Sequence, residues 1–173
     1  MTRQVGLRLF SLGLGVAILL GASARAEDLG IFGDWYALTQ DEGKTKLCYM
    51  IAAPTHSLGE VANRGDIGLM ITHQAGGKIR DQVSVILGFE PHKTKVTKVK
   101  VDKGGNFLMR LIDGDRVWIK EANVDRQLVG KMKDGNNLIV TGMTADGVAT
   151  QDTFSLSGFT KAYAAIGTAC GLK

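Results

Sequence analysis

Phe107-Leu108-Met109-Arg110-Leu111-Ile112-Asp113-Gly114-Asp115-Arg116-Val117-Trp118-Ile119 has the pattern of two strands joined by a tight turn. Its apolar side chains alternate on the way to Asp113-Gly114, and an extended apolar pattern resumes directly after it. Alternation with a period of two places side chains on opposite faces of a strand. An Asp-Gly pair between two such runs supplies the positive φ of a tight hairpin turn. Phe107, Met109 and Leu111 are then expected on one face.

The same grammar extends in both directions. Val83, Val85, Leu87 and Phe89 share one side of their run. Candidate strands fall at 32–38, 46–53, 67–73, 82–89, 95–101, 107–112, 116–120, 138–143 and 150–156, with turn signals at Gly76-Gly77, Gly104-Gly105 and Asp146-Gly147 expected to supply positive-φ positions. So many strands with one apolar face each are buried most simply by two packed sheets. The expectation is a mainly β protein: an antiparallel β-sandwich of about eight to nine strands, a small closed barrel being the competing arrangement. Two segments break the two-residue period. At 122–134, Leu128, Val129 and Met132 have helical spacing, with Asn123 a candidate N-cap and Gly135 a stop. At 158–169, Phe159, Ala162, Tyr163, Ile166 and then Cys170 fall on one stripe of a C-terminal helix.

The N-terminus reads differently. Arg3 and Arg8 precede an apolar run from Leu9 to Leu20, followed by Gly21-Ala22-Ser23-Ala24-Arg25-Ala26. That is the layout of a secretory signal peptide, and its apolar run is shorter than the ~20 residues a membrane-spanning helix needs. Residues 1–26 are therefore expected to be cleaved, leaving 27–173 as a single domain in the periplasm, or secreted to the outer surface, with no transmembrane segment. Cleavage removes Arg3, Arg8 and Arg25 and no acid, so 21 basic residues fall to 18 against 17 acidic ones. The formal charge of +4 thus belongs mostly to the leader, and nucleic acid is not an expected partner.

Two cysteines remain, Cys48 and Cys170. Export takes them to an oxidising compartment, and no Cys-x-x-Cys motif suggests redox work. A disulfide is expected, closing a long loop worth about 4 to 5 kcal/mol in chain entropy.

Searches for chemistry return little. There is no Gly-x-Ser-x-Gly, His-Glu-x-x-His or phosphate-binding Gly-x-x-x-x-Gly-Lys. His56, His73 and His92 lie far apart and read as surface or strand residues. Asp113 and Asp115 flank Gly114, where turn chemistry accounts for them better than calcium, which takes six to eight oxygen ligands. Trp35 and Trp118 read as core or partly buried aromatics. No catalytic residue, metal ligand or cofactor is assigned. The most unusual charge feature is Lys93, Lys95, Lys98, Lys100 and Lys103, interleaved with Val96, Val99 and Val101. It reads either as a cationic stripe for an anionic surface or as an edge strand protected by lysine against aggregation.

Phe32-Gly33-Asp34-Trp35, then Lys46-Leu47-Cys48-Tyr49-Met50, then Asp113-Gly114-Asp115-Arg116-Val117-Trp118, then Ser157-Gly158-Phe159-Thr160-Lys161-Ala162-Tyr163 with Cys170 follow one another along the chain. In this order they resemble the invasion-associated locus B family of bacterial exported proteins. The resemblance implies a periplasmic or surface-associated β-sandwich, found mainly in alphaproteobacteria, with one member linked to entry of a pathogen into red blood cells; it does not imply an enzyme. Many relatives carry a cysteine shortly after Gly-Asp-Trp, where this chain has Ala37-Leu38-Thr39-Gln40. The leading expectation is a non-enzymatic cell-envelope protein that binds an envelope or host-surface protein or an anionic surface. The alternatives are an envelope enzyme with a site assembled from His73, His92 and Asp115, and a purely structural component.

Overall fold

The computed structural model describes residues 26–172, so the expected signal peptide lies, apart from Ala26, outside the described residues. Twelve strands and two helices follow in the order β1 (Ala26–Phe32), β2 (Trp35–Glu42), β3 (Thr45–Ala52), β4 (His56–Leu58), β5 (Gly68–Gln74), β6 (Gln82–Ile86), β7 (Thr97–Val101), β8 (Phe107–Met109), β9 (Leu111–Asp113), β10 (Arg116–Trp118), α1 (Ala122–Asp134), β11 (Asn137–Met143), β12 (Ala149–Ser155) and α2 (Phe159–Ala169). They form two antiparallel sheets, one ordered β1-β2-β3-β5-β6-β10-β9 and the other β4-β12-β11-β7-β8. The expected sandwich is present, with strands β1 and β4 added and the candidate at 107–112 divided in two.

The alternation read from sequence builds the core. Trp35 and Ala37 of β2, Cys48, Met50 and Ala52 of β3, Leu69 and Ile71 of β5, and Val83 and Val85 of β6 point inward from the larger sheet. Val99, Val101, Met109, Leu138, Val140 and Phe154 answer from the smaller one. Leu128, Val129 and Met132 of α1 and Phe159, Ala162 and Ile166 of α2 close the same core. Burying a large apolar side chain of this kind contributes about 1.5 to 3 kcal/mol. Cys48 and Cys170 are joined with their Cα atoms 5.9 Å apart, which ties the end of α2 to the middle of the larger sheet.

The hairpin Asp113-Gly114-Asp115-Arg116 forms with Asp113 opposite Arg116, and Gly114 takes the left-handed φ of 58° that the turn requires. The run before it departs from expectation. Phe107–Met109 pairs with β7 in the smaller sheet, whereas Leu111–Asp113 pairs with β10 in the larger. The chain crosses between sheets at Arg110, a corner of the kind by which one strand serves both layers of a sandwich. Alternation restarts there, so Leu111 does not share the core face of Met109. In the turn at Gly104-Gly105 the left-handed residue is Asp102, φ 47°, and not either glycine. Helix α1 starts one residue ahead of Asn123, with Glu121 at the cap position and no side-chain cap bond.

A largely buried ion pair anchors the β4–β5 connection to β12. Asp152 is wholly buried on the inner side of β12. Arg64, in the β4–β5 connection, holds it with Nη1 3.0 Å from Oδ1 and Nη2 2.6 Å from Oδ2, while its Nε donates to the Leu87 carbonyl at 3.0 Å. A forked guanidinium–carboxylate pair fixes position as well as charge.

Candidate binding surfaces and the pocket beside the terminal helix

Two of the segments that carry the sequence resemblance, residues 32–35 and 157–163, meet in space. The amide of Asp34 donates to the Ser157 carbonyl at 3.1 Å, and Trp35 Nε1 donates to the Ser155 carbonyl at 3.1 Å. The Trp35 and Phe159 rings meet edge to face at 5.1 Å. A Cβ on Gly33 would press on the Ser157 backbone, and one on Gly158 would collide with the Phe32 carbonyl. Gly33-Asp34-Trp35 and Ser157-Gly158-Phe159 are therefore two halves of one lock between the start of the larger sheet and the entry of α2, and each glycine is required by the close approach of the other segment.

The lysines lie on the smaller sheet. In β7, Val99 and Val101 point inward, so Lys98 and Lys100 occupy the outer face, Lys98 exposed and Lys100 half-buried. Lys93 and Lys95 precede the strand and Lys103 follows it, all three exposed. Strand β7 is paired with β11 on one side and β8 on the other, so it is an interior strand and the edge-protection reading fails. Among the described residues none of these five lysines is in an ion pair.

The outer face of the larger sheet was not singled out by sequence. Cross-strand register puts Ile31, Tyr36, Ile51, Met70, Ser84, Trp118 and Leu111 side by side in one row across seven strands. Ile31 is 76% and Tyr36 36% exposed, while Ile51, Trp118 and Leu111 are half-buried. Gly68 lacks the side chain that would fill the space beside the Ile51 and Ile86 tips, and those two lean over it. Met70 is buried, yet it stands outside the core cluster to which both helices contribute. This is a second, mainly apolar surface that faces away from the core, with Ser84 its one polar member.

Buried titratable groups gather where α2 crosses β5. The Asp81 amide donates to His73 Nδ1 at 3.1 Å, and Tyr163 Oη donates to Asp81 Oδ1 at 2.5 Å. The His73 and Tyr163 rings meet edge to face at 5.2 Å. Arg80 Nε lies 3.8 Å from Asp81 Oδ2. Asp81 reaches this place through a left-handed φ of 62°, a conformation aspartate tolerates better than most residues. Burial pushes the His73 imidazole below its ordinary pKa, so the ring is neutral near pH 7. Tyr163 is raised to about 12 by burial and by its bond to Asp81. Close by, Asp125 in the first turn of α1 accepts the Val83 amide at 3.0 Å, and burial raises it to about 7.

The three histidines do not converge. His73 is 1% exposed in β5, His56 is exposed on the edge strand β4, and His92 accepts the Thr94 amide in a separate turn. Asp115 lines a different cavity from His73, together with Asp113, Arg116 and Trp118. Among the described residues no three His, Cys, Asp or Glu side chains are placed to hold a metal ion, and no helix is long and apolar enough to cross a membrane.

The fold and its surfaces define a two-sheet β-sandwich with a disulfide-tethered terminal helix and two open, differently charged sheet faces. The sequence profile described as the invasion associated locus B (IalB) protein matches residues 35–167, and the chain belongs to that family. Neither the curated proteins nor the solved structures yield a match.

Proposed function

We propose that the protein is exported, is not an enzyme, and acts by binding another protein through the outer face of its seven-stranded sheet. The row Ile31, Tyr36, Ile51, Met70, Trp118 and Leu111, interrupted by Ser84 of β6, carries this reading, because exposed apolar side chains grouped on an outer sheet face cost hydration unless something covers them. Tyrosine and tryptophan are also the side chains over-represented where partners dock. Family membership supports export, and cleavage after Ala26 would leave Glu27–Phe32 in place as the edge strand. The separation of His73, His92 and Asp115 supports the non-enzymatic side of the proposal.

A second reading is favoured by the unpaired lysines of the opposite face, which would meet an anionic envelope or host surface. Chemical cross-linking in intact cells, with mass-spectrometric identification of the linked partner, separates the two. The protein-binding reading expects a discrete partner whose linkage is lost in Tyr36→Ser with Trp118→Ser and kept in Lys95→Gln with Lys98→Gln and Lys100→Gln. Loss in the lysine variant alone, or in neither variant, would contradict it.

A further inference from the structure

A surface cavity of about 370 Å³ lies between α2, the end of α1 and the β5–β6 connection, with Thr160, Ala164 and Thr168 exposed at its rim. Its walls combine cationic, donor and apolar groups. Lys133 Nζ, from the last turn of α1, stands 4.0 Å over the Tyr163 ring. Thr160 brings a hydroxyl, Arg80 brings its guanidinium, and Ala164 and Leu172 bring hydrocarbon, while the Thr168 hydroxyl donates to the Ala164 carbonyl at 2.9 Å. Among the described residues no carboxylate lines the cavity. The nearest acid, Asp81, is already held by Tyr163 and Arg80.

His73 supplies the second, independent observation. A backbone amide can only donate, so the bond from the Asp81 amide leaves Nδ1 as acceptor. The single proton of the neutral ring is then on Nε2. That nitrogen is buried on a residue lining the cavity, and among the described residues it has no acceptor. A buried donor without an acceptor is costly, and most such groups in folded proteins are paired.

We propose that this cavity binds a small organic carboxylate, its anionic end taken by Lys133, the His73 Nε2–H and the Thr160 hydroxyl, and its aliphatic or aromatic body lying against Tyr163 and Leu172. The cationic and donor groups select the negative charge. The apolar wall selects a molecule with a body over a bare inorganic anion. The inference stands apart from the sheet-face reading, since the two sites share no residue.

The test is a nuclear magnetic resonance titration of the purified protein with benzoate, hexanoate, neutral benzamide and inorganic phosphate, following the His73 side-chain nitrogens and the Thr160 amide. Benzoate or hexanoate should shift these signals saturably, with benzamide and phosphate at least about tenfold weaker. Lys133→Gln should weaken the carboxylate about tenfold or more, the scale of one lost charge-assisted bond, while leaving the spectrum otherwise folded. Absence of saturation by either carboxylate, equal binding of benzamide or phosphate, or indifference to Lys133→Gln would each overturn the proposal.

Discussion

Asp125 shows how one residue can carry a pH dependence. Its side chain is 4% exposed, and burial lifts its pKa from the ordinary 3.8 to about 7. The folded protein therefore binds a proton that the unfolded chain releases between those values. Stability from this group is complete below about pH 4 and is lost as pH rises toward 7. At about 1.4 kcal/mol per pKa unit the full span is about 4 kcal/mol. Asp125→Asn keeps an acceptor for the Val83 amide and cannot ionise. Denaturant titrations at a series of pH values should show the wild type losing stability from pH 4 to 7 relative to this variant, whose advantage is greatest above 7. Parallel curves would show that Asp125 does not hold its proton. A signal for this burial was present in the sequence: Asp125 lies three and four residues before Leu128 and Val129, on the apolar stripe of its helix, where a carboxylate has to be buried. His73 gave a weaker signal, since its strand position was legible but its partner Asp81 depended on a left-handed turn residue that no periodicity reveals.

Elements with a full apolar face were the legible ones. Strands β2, β3, β5, β6, β7, β11 and β12 and both helices lie close to their expected places, because period two and period 3.6 each need only local information. Strand β1, Ala-Glu-Asp-Leu-Gly-Ile-Phe, was missed because it is an edge strand with an irregular register at Asp28 and Gly30 and no clean alternation. The three-residue β4 is exposed throughout and leaves no apolar pattern to detect. The change of sheet at Arg110 depends on which partner strand is nearest, which only the assembled fold decides. The tether of α2 was legible from the count of cysteines and the stripe ending at Cys170, and it leads to an expectation at this scale. Cys48→Ser with Cys170→Ser should lower stability by roughly 2 to 5 kcal/mol, mainly by releasing the unfolded chain from a long loop. Hydrogen exchange should quicken most in α2, with the strands of the smaller sheet least affected. Uniform loss of protection across both sheets would mean that the bond holds the whole sandwich and not the helix alone.

At the scale of the whole molecule, the two sheets turn different surfaces outward, one with lysines on an interior strand and one with an apolar row. The lysines were visible as a cluster in sequence, but their meaning depended on whether β7 was an edge, which is a property of topology. The apolar row was invisible, because its six apolar members come from six different strands, each contributing one side chain that looks like ordinary outward alternation. Only cross-strand register collects them. A protein partner is proposed to cover this collected face. Position-specific photo-cross-linking in intact cells tests it most directly, with the reactive group placed in turn at Tyr36 on the apolar row, at Lys98 on the opposite sheet and at Gln127 on the exposed side of α1. A discrete protein adduct from Tyr36, absent from Lys98 and Gln127, is the predicted result. Adducts from Lys98 or Gln127 with none from Tyr36 would contradict it.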